Sequence, residues 1–166
     1  MTDMLTMRVG AARASDARAV AGLIEAMGGH EGAADRSGTV EQFAEVLALP
    51  HVAALVAAVG GRVVGYAELH ARPSVLNGVR EGWLAALAVR PECRGHGIGT
   101  VLIGAIEDEA RRLGCESIVL ESSEFRTKAH QFYLTLGFEQ VRPARRFYRP
   151  VADGRPSSAS QSAHDE

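Results

Sequence analysis

The chain of 166 residues predicts a single α/β (α+β) domain around a central mixed sheet. Three observations carry that expectation. A strand-like run, Gly82 to Val89, passes through a glycine-spaced turn into an amphipathic helix with Ile98, Val101, Leu102, Ala105, Ile106 and Leu113 on one face. A buried strand, Ser117 to Leu120, follows that helix, and a strand–helix–strand unit with parallel strands is right-handed in nearly all proteins. Upstream, the strand-like runs His51 to Val59 and Arg62 to His70 flank Gly60-Gly61, a strong two-residue hairpin signal.

The remaining elements follow in order. Residues 5–11 alternate loosely and read as an opening strand. Ser15 is placed to cap a helix whose apolar positions Ala19, Val20, Leu23, Ile24 and Met27 keep helical spacing until Gly28-Gly29. His30 to Gly38, polar and glycine-containing, reads as a mobile loop. Thr39 with Gln42 forms a capping box for a second short helix that stops before Pro50. Ala71 to Arg80, punctuated by Pro73, Asn77 and Gly78, reads as a loop. On the long helix Glu107/Arg111 and Asp108/Arg112 are i,i+4 pairs, and Gly114 supplies the stop. Thr127 opens a further helix carrying Ala129, Phe132, Tyr133 and Leu136 on one face, ended by Gly137. Short strands are expected at Phe138–Val141 and Arg145–Arg149. The folded domain is therefore placed at residues 1–151, with 152–166 a polar, low-complexity and disordered tail.

Composition narrows the function. The chain is 46% hydrophobic and 23% charged with a formal net charge of −2, which argues against wholesale binding to nucleic acid or to a membrane surface. Its longest purely apolar run, Val52 to Val59, is far shorter than the ~20 residues of a membrane helix. The opening Met1-Thr2-Asp3-Met4 lacks the layout of a signal peptide, so a cytoplasmic address is expected. Cys93 and Cys115 flank the long helix, about 25 Å by its rise, and a disulfide needs Cα atoms within about 7 Å. Two reduced thiols are expected. The histidines show no metal-ligand spacing, so no metal is expected.

The glycine turn is the most informative stretch. A helix start leaves backbone amides without partners and carries the positive end of the peptide dipoles. Gly95, Gly97 and Gly99 remove the Cβ atoms that would keep an anion from those amides, and Arg94 adds a full positive charge. A phosphate or pyrophosphate is the expected occupant. The spacing G-x-G-x-G lacks the lysine of a P-loop and departs from the G-x-G-x-x-G of dinucleotide folds.

The segment Arg94-Gly95-His96-Gly97-Ile98-Gly99, preceded by Leu87-Ala88-Val89-Arg90-Pro91-Glu92, fits the pattern [Arg/Gln]-x-x-Gly-x-[Gly/Ala] and resembles the GNAT superfamily of acyl-CoA-dependent N-acetyltransferases. A second block, Ala129-His130-Gln131-Phe132-Tyr133 running to Gly137-Phe138, independently resembles that superfamily's C-terminal motif. Arg126 ahead of it and the aromatic Phe147 behind look closest to a branch holding aminoalkylphosphonate and other small-amine acetyltransferases. The resemblance covers residues 5–150. It implies the GNAT fold, with a mostly antiparallel sheet containing one parallel, splayed strand pair and about four flanking helices. It also implies acetyl-CoA as co-substrate, a small-molecule primary amine as acceptor and, since dimers are common among similar proteins, a homodimer. Leu87, Ala88 and Val89 would offer backbone groups to the pantetheine arm between the splayed strands. Arg94, Gly95, His96, Gly97, Ile98, Gly99 and Thr100 would take the pyrophosphate, Arg126 would join the cofactor contacts, and Tyr133 matches the usual proton donor to the departing sulfur.

Acetyl transfer to an amine needs a free lone pair. With an ordinary alkylammonium pKa of about 10.4, only about one molecule in 2,500 is unprotonated at pH 7, a cost of about 4.6 kcal/mol. Many members of the superfamily place a glutamate on the strand before the glycine turn, but here Gly82-Trp83-Leu84-Ala85-Ala86-Leu87-Ala88-Val89 has no carboxylate. Glu81 and Glu68 lead as candidate bases, His70 and Glu121 follow, and a water wire with no dedicated base stays open. Blander readings stand beside these: Tyr133 lies on an apolar stripe, His96 and Cys93 would be solvated bystanders, and Trp83 is a core filler or an acceptor-site wall. Arg142, Arg145, Arg146 and Arg149 form either a solvated face or an acceptor-side anion contact. Acetylation of a protein N-terminus or lysine, and a non-catalytic acyl-CoA-binding module, are the competing functions.

Overall fold

The structure, a computed structural model, describes residues 6–27 and 37–141. Strands β1 (Arg8–Ala11), β2 (Val52–Val59), β3 (Arg62–Ser74), β4 (Val79–Val89) and β5 (Ser117–Val119) form one five-stranded sheet in the order of the chain. The first four pair antiparallel, and β5 joins β4 in parallel. The helices are α1 (Ala17–Ala26), α2 (Ser37–Ala48), α3 (Ile98–Arg112) and α4 (Thr127–Thr135). This is the mixed, mostly antiparallel sheet that the sequence predicts.

Period-two alternation gives the sheet two cores. Leu55, Ala57, Ala67, Leu69 and Leu84 pack against Ile98, Leu102, Ile103, Ile106 and Ala110 of α3, with Phe132, Tyr133 and Leu136 of α4 completing that side. Ala54, Tyr66 and Ala88 turn to the opposite face, where Ala17, Val20 and Leu23 of α1 and Phe43 of α2 cover them. Gly65 lets α3 settle close on β3, since a Cβ there would lie 2.9 Å from Leu102 and 3.1 Å from Ile98. Gly65 is paired with Val89, so the first turns of α3 are held over the end of β4.

Two departures from regular pairing shape β4. Glu68 pairs with Ala86 and Leu69 with Leu84, which leaves Ala85 as a bulge. The extra residue lets Trp83 before it and Ala86 after it keep the same face. Pairing with β5 covers only Glu81 to Trp83, opposite Ser117 to Val119. From Leu84 to Val89 that edge of β4 has no strand partner among the described residues, so the expected splay is present.

Several boundaries differ from the sequence expectation. The predicted loop Ala71–Arg80 is mostly strand: β3 runs to Ser74 and β4 starts at Val79. Pro73 is tolerated because β2 pairing ends at Val52–His70, so beyond that point β3 has a neighbour on one side only. Ser15 does not cap α1. A 3₁₀ turn over Ala14–Asp16 precedes the helix, and Asp16 Oδ2 accepts the Arg13 amide at 2.8 Å. Helix α2 is described from Ser37, two residues before Thr39. Arg111 meets Glu107 as expected, but it also takes Asp108 at 2.7 Å, while Arg112 turns to Glu109 at 2.6 Å. Phe138–Val141 forms no strand. The expected strand Arg145–Arg149, the Arg142–Arg149 cluster, Phe147, the tail and most of the His30–Gly38 loop lie outside the described residues.

Both helices that border the splay end as expected. At α3, Gly114 adopts φ +76° and the Cys115 and Gly114 amides return to the carbonyls of Ala110 (2.9 Å) and Arg111 (3.0 Å). Gly137 does the same for α4 at φ +87°, with Phe138 bonded to the Tyr133 carbonyl at 3.1 Å. Cys93 and Cys115 are free thiols. No helix among the described residues is long and apolar enough to cross a membrane.

Candidate active site

The partnerless end of β4 leads directly into the glycine turn. Arg90 fixes the exit, its amide bonding to Val64 O and its Nε to Val63 O, each at 2.9 Å. A 3₁₀ turn over Pro91–Cys93 then reverses the chain, and Arg94 Nε reaches back to the Val89 carbonyl at 3.1 Å. Gly95 (φ +79°) and Gly97 (φ +81°) are left-handed, a conformation that costs other residues about 1–2 kcal/mol. Neither would meet another atom through an added Cβ, so backbone conformation is what requires glycine there.

Gly99 has a different reason. A Cβ on it would stand 3.1 Å from Phe132 Cζ, so its bare Cα admits the ring of α4 against the first turn of α3. The first intrahelical bond of α3 runs from the Val101 amide to Gly97 O at 3.1 Å, and no side chain caps the helix. The amides of Ile98, Gly99 and Thr100 therefore lie ahead of the helical ladder, at its positive end. His96 is exposed, with Nδ1 3.3 Å from Cys93 O. Cys93 sits in the reversing turn, apart from the splayed strands.

Helix α4, packed through Phe132 on the first turn of α3, brings Tyr133 to the same side of the sheet. Tyr133 stacks edge-on with Phe132 (centroids 5.4 Å apart) and Phe138 (5.5 Å). Burial pushes the Tyr133 phenol above its ordinary value, and the Arg126 charge pulls back against that rise. Arg126 is the residue before α4, and its carbonyl accepts the His130 amide at 3.1 Å. Just past β5, Ser122 Oγ is buried with no hydrogen-bond partner among the described residues. Leu87 and Val89 face α3, whereas Ala88 is buried on the other side of the sheet.

The face turned to α1 and α2 holds the candidate bases. Tyr66, Glu68 and His70 follow one another at every second position of β3. Tyr66 donates its hydroxyl to Glu68 Oε2 at 2.6 Å, and His70 Nε2 lies 2.5 Å from Glu68 Oε1. His70 pairs in register with Trp83, their rings 5.5 Å apart, and the Arg72 guanidinium sits 5.5 Å from the Trp83 ring centre. Glu81 is separate. It lies opposite Arg72 and accepts the Asn77 amide group at 2.7 Å, near the hairpin tip. Glu121 is exposed beyond β5. The structure thus brings Glu68 and His70 together and leaves Glu81 and Glu121 apart from them. Tyr66 escaped the sequence reading because its neighbours are apolar, although the Tyr-x-Glu-x-His spacing already puts all three on one face of a strand.

Comparison with known proteins agrees with this geometry. A profile of the acetyltransferase (GNAT) family matches residues 24–138. An aminoglycoside N(6')-acetyltransferase type 1 of Stenotrophomonas maltophilia is 29% identical over 121 residues, 70% of this chain and 79% of that protein. An aminoalkylphosphonate N-acetyltransferase of Salmonella typhimurium is 37% identical over 98 residues, 59% of this chain and 64% of that one. Among solved structures, an aminoglycoside N-acetyltransferase in complex with CoA superposes with a TM-score of 0.77 at 22% identity, covering 89% of this chain and 96% of that one.

The chain belongs to the GNAT family of acetyltransferases. It is thus an N-acetyltransferase by family, and the family's acyl donor is acetyl-CoA.

Proposed function

We propose that this protein moves the acetyl group of acetyl-CoA to the primary amine of a small molecule by direct attack in a ternary complex. One observation carries the reading: the β4 edge from Leu84 to Val89, unpaired among the described residues, is followed through one 3₁₀ turn by left-handed glycines and open helix amides. An extended coenzyme arm would complete that edge through backbone hydrogen bonds with Leu87 and Val89. Ala88, in step with Arg90 whose amide bonds to Val64 O, turns its backbone groups to β3 and is not a partner. Its diphosphate would then meet the segment Arg94 to Thr100, where amides, dipole and guanidinium all favour an anion. Arg94 would exchange its bond to Val89 O for the diphosphate. Arg126 would join the cofactor contacts beside Tyr133.

Tyr133 would serve the departing sulfur. A phenol is an intrinsically weaker acid than a thiol, and burial raises it further. Its first task is therefore to stabilise developing thiolate through a hydrogen bond, with proton transfer following. The attacking amine must first lose a proton, and of the three carboxylates named from sequence, Glu68 rather than Glu81 or Glu121 belongs to the polar cluster with His70. Small amines are favoured as acceptors because the relatives of known name include aminoglycoside and aminoalkylphosphonate acetyltransferases. We place the protein in the cytoplasm, where Cys93 and Cys115 would stay reduced.

The test is a panel of acceptors read by release of CoA thiol: kanamycin and 2-aminoethylphosphonate against N-terminal and lysine peptides. Turnover of the small amines is expected. Preference for peptides would overturn the acceptor assignment. Calorimetric binding of CoA with no thiol release from any amine would leave an acyl-CoA-binding module instead.

A further inference from the structure

The polar cluster on the α1/α2 face defines the proton-handling group more closely, provided that the acetyl-transfer reading above holds. Both oxygens of Glu68 are already engaged, one by Tyr66 and one by His70. Each oxygen keeps a second lone pair, but the two contacts tie the carboxylate to its neighbours on β3, and His70 is the more exposed of the pair. We infer that His70 is the general base for the acceptor amine, working through Nδ1, and that Glu68 and Tyr66 are positioning residues that fix its ring.

The tautomer follows from the hydrogen bonds. Tyr66 is only 1% exposed, and burial together with the Glu68 charge pushes its phenol far above the ordinary range. Its proton therefore stays, and its hydroxyl donates to Oε2. An ionised carboxylate is acceptor-only, so the contact at Oε1 requires a proton on His70 Nε2. In neutral imidazole the remaining nitrogen, Nδ1, then carries the lone pair. A carboxylate–histidine pair of this kind orients the ring and stabilises the imidazolium that forms on protonation.

The location suits the role. His70, Trp83 and Val119 lie side by side in register across β3, β4 and β5, at the last pairing before the splay opens. The His70 side chain keeps 22% of its surface accessible, and Glu68 keeps 17%. On the same face, Arg72 stacks on Trp83 and Glu81 lies opposite Arg72. In the step itself, His70 Nδ1 takes one proton from the acceptor R–NH3⁺. The freed lone pair forms the N–C bond and the C–S bond of the thioester breaks. The second nitrogen proton passes to solvent as the amide forms, and the thiolate takes its proton from Tyr133. Solvent then removes the proton from His70 and returns one to Tyr133, so one proton is released per turnover.

The experiment compares the parent with His70→Gln, Glu68→Gln and Tyr66→Phe in the full chain. The acceptors are a panel alkylamine that the parent turns over, kanamycin or 2-aminoethylphosphonate, and hydroxylamine, which is unprotonated at neutral pH and needs no base. For His70→Gln, kcat/KM with the alkylamine is expected to fall by ~10²–10⁴-fold. Turnover of hydroxylamine above the uncatalysed rate should stay close to the parent's, as should CoA affinity by calorimetry. Glu68→Gln and Tyr66→Phe should show the same selective loss to a smaller extent. Parent-like alkylamine turnover in His70→Gln overturns the inference, and so does an equal loss with both acceptors, which would mark a packing role. Either result leaves acetyl transfer intact. A parent that acetylates no amine defeats the functional reading and this inference with it.

Discussion

Tyr133 owes its position to its own backbone as much as to its ring. Its carbonyl takes the Phe138 amide where Gly137 ends α4, which draws Phe138 against the phenol. Removing only the hydroxyl should therefore leave the fold intact. Tyr133→Phe is expected to lower kcat by roughly 10²-fold with KM for acetyl-CoA near the parent's, measured by initial rates of thiol release. The phenols also make an alkaline prediction. Tyr66 and Tyr133 both have folded pKa values above the unfolded value of 10.0. Their contribution to stability is then complete below about pH 10 and declines above it, because the unfolded state ionises first. Denaturation midpoints measured from pH 9 to 11 should fall, and Tyr66→Phe should flatten that fall. A midpoint rising with pH in this window would contradict the burial of both rings.

At the scale of elements, the three glycines of the turn ought to fail in different ways. Gly97→Ala forces a side chain into the left-handed region at about 1–2 kcal/mol. In a chain of this size each kcal/mol lowers Tm by about 2–4 °C. The same variant should lose CoA affinity if the amides it displaces receive the diphosphate, as proposed above. Gly99→Ala keeps a helical residue but meets Phe132 at 3.1 Å. It is expected to bind CoA almost normally while kcat drops, because α4 and Tyr133 are pushed outward. Calorimetry and thiol release on the two variants would expose a common phenotype if the glycines were interchangeable. The sequence could distinguish neither role, since both glycines sit in one repetitive G-x-G-x-G string. It also misread Ala71–Arg80, where Pro73 and Asn77-Gly78 look like punctuation but only the tip from Val75 to Gly78 turns. The Ala85 bulge was equally hidden, because Ala85, Ala86 and Ala88 offer no polar–apolar contrast to reveal a shift of face.

For the whole molecule, the coenzyme should act as a structural ligand. One that binds the folded state alone at 100 times its Kd adds about 2.7 kcal/mol, so saturating CoA should raise Tm by several degrees. Arg94→Glu should lose about half or more of that rise and weaken CoA at least tenfold, as removal of a charge-assisted bond of about 1.5–3 kcal/mol predicts. An equal rise in variant and parent would remove the guanidinium from the site. The strand–turn–helix unit and the helix carrying Tyr133 were readable from sequence because each lies in a short contiguous motif. The Tyr66–Glu68–His70 grouping was harder to see: its members are separated by buried Ala67 and Leu69, and its place beside the splay depends on the pairing of three strands.

The bulge at Ala85 also limits how this enzyme can be rebuilt. Grafting the strand into a related scaffold, or shortening it by one residue, would rotate everything after Leu84 by half a pleat. Ala86 and Ala88 would exchange sides with Leu87 and Val89, presenting bulky chains where the acceptor is expected and leaving α3 above a shallow methyl floor. Any chimera must inherit that surplus alanine together with the flanking sequence, or it will carry the right letters on the wrong side of the sheet.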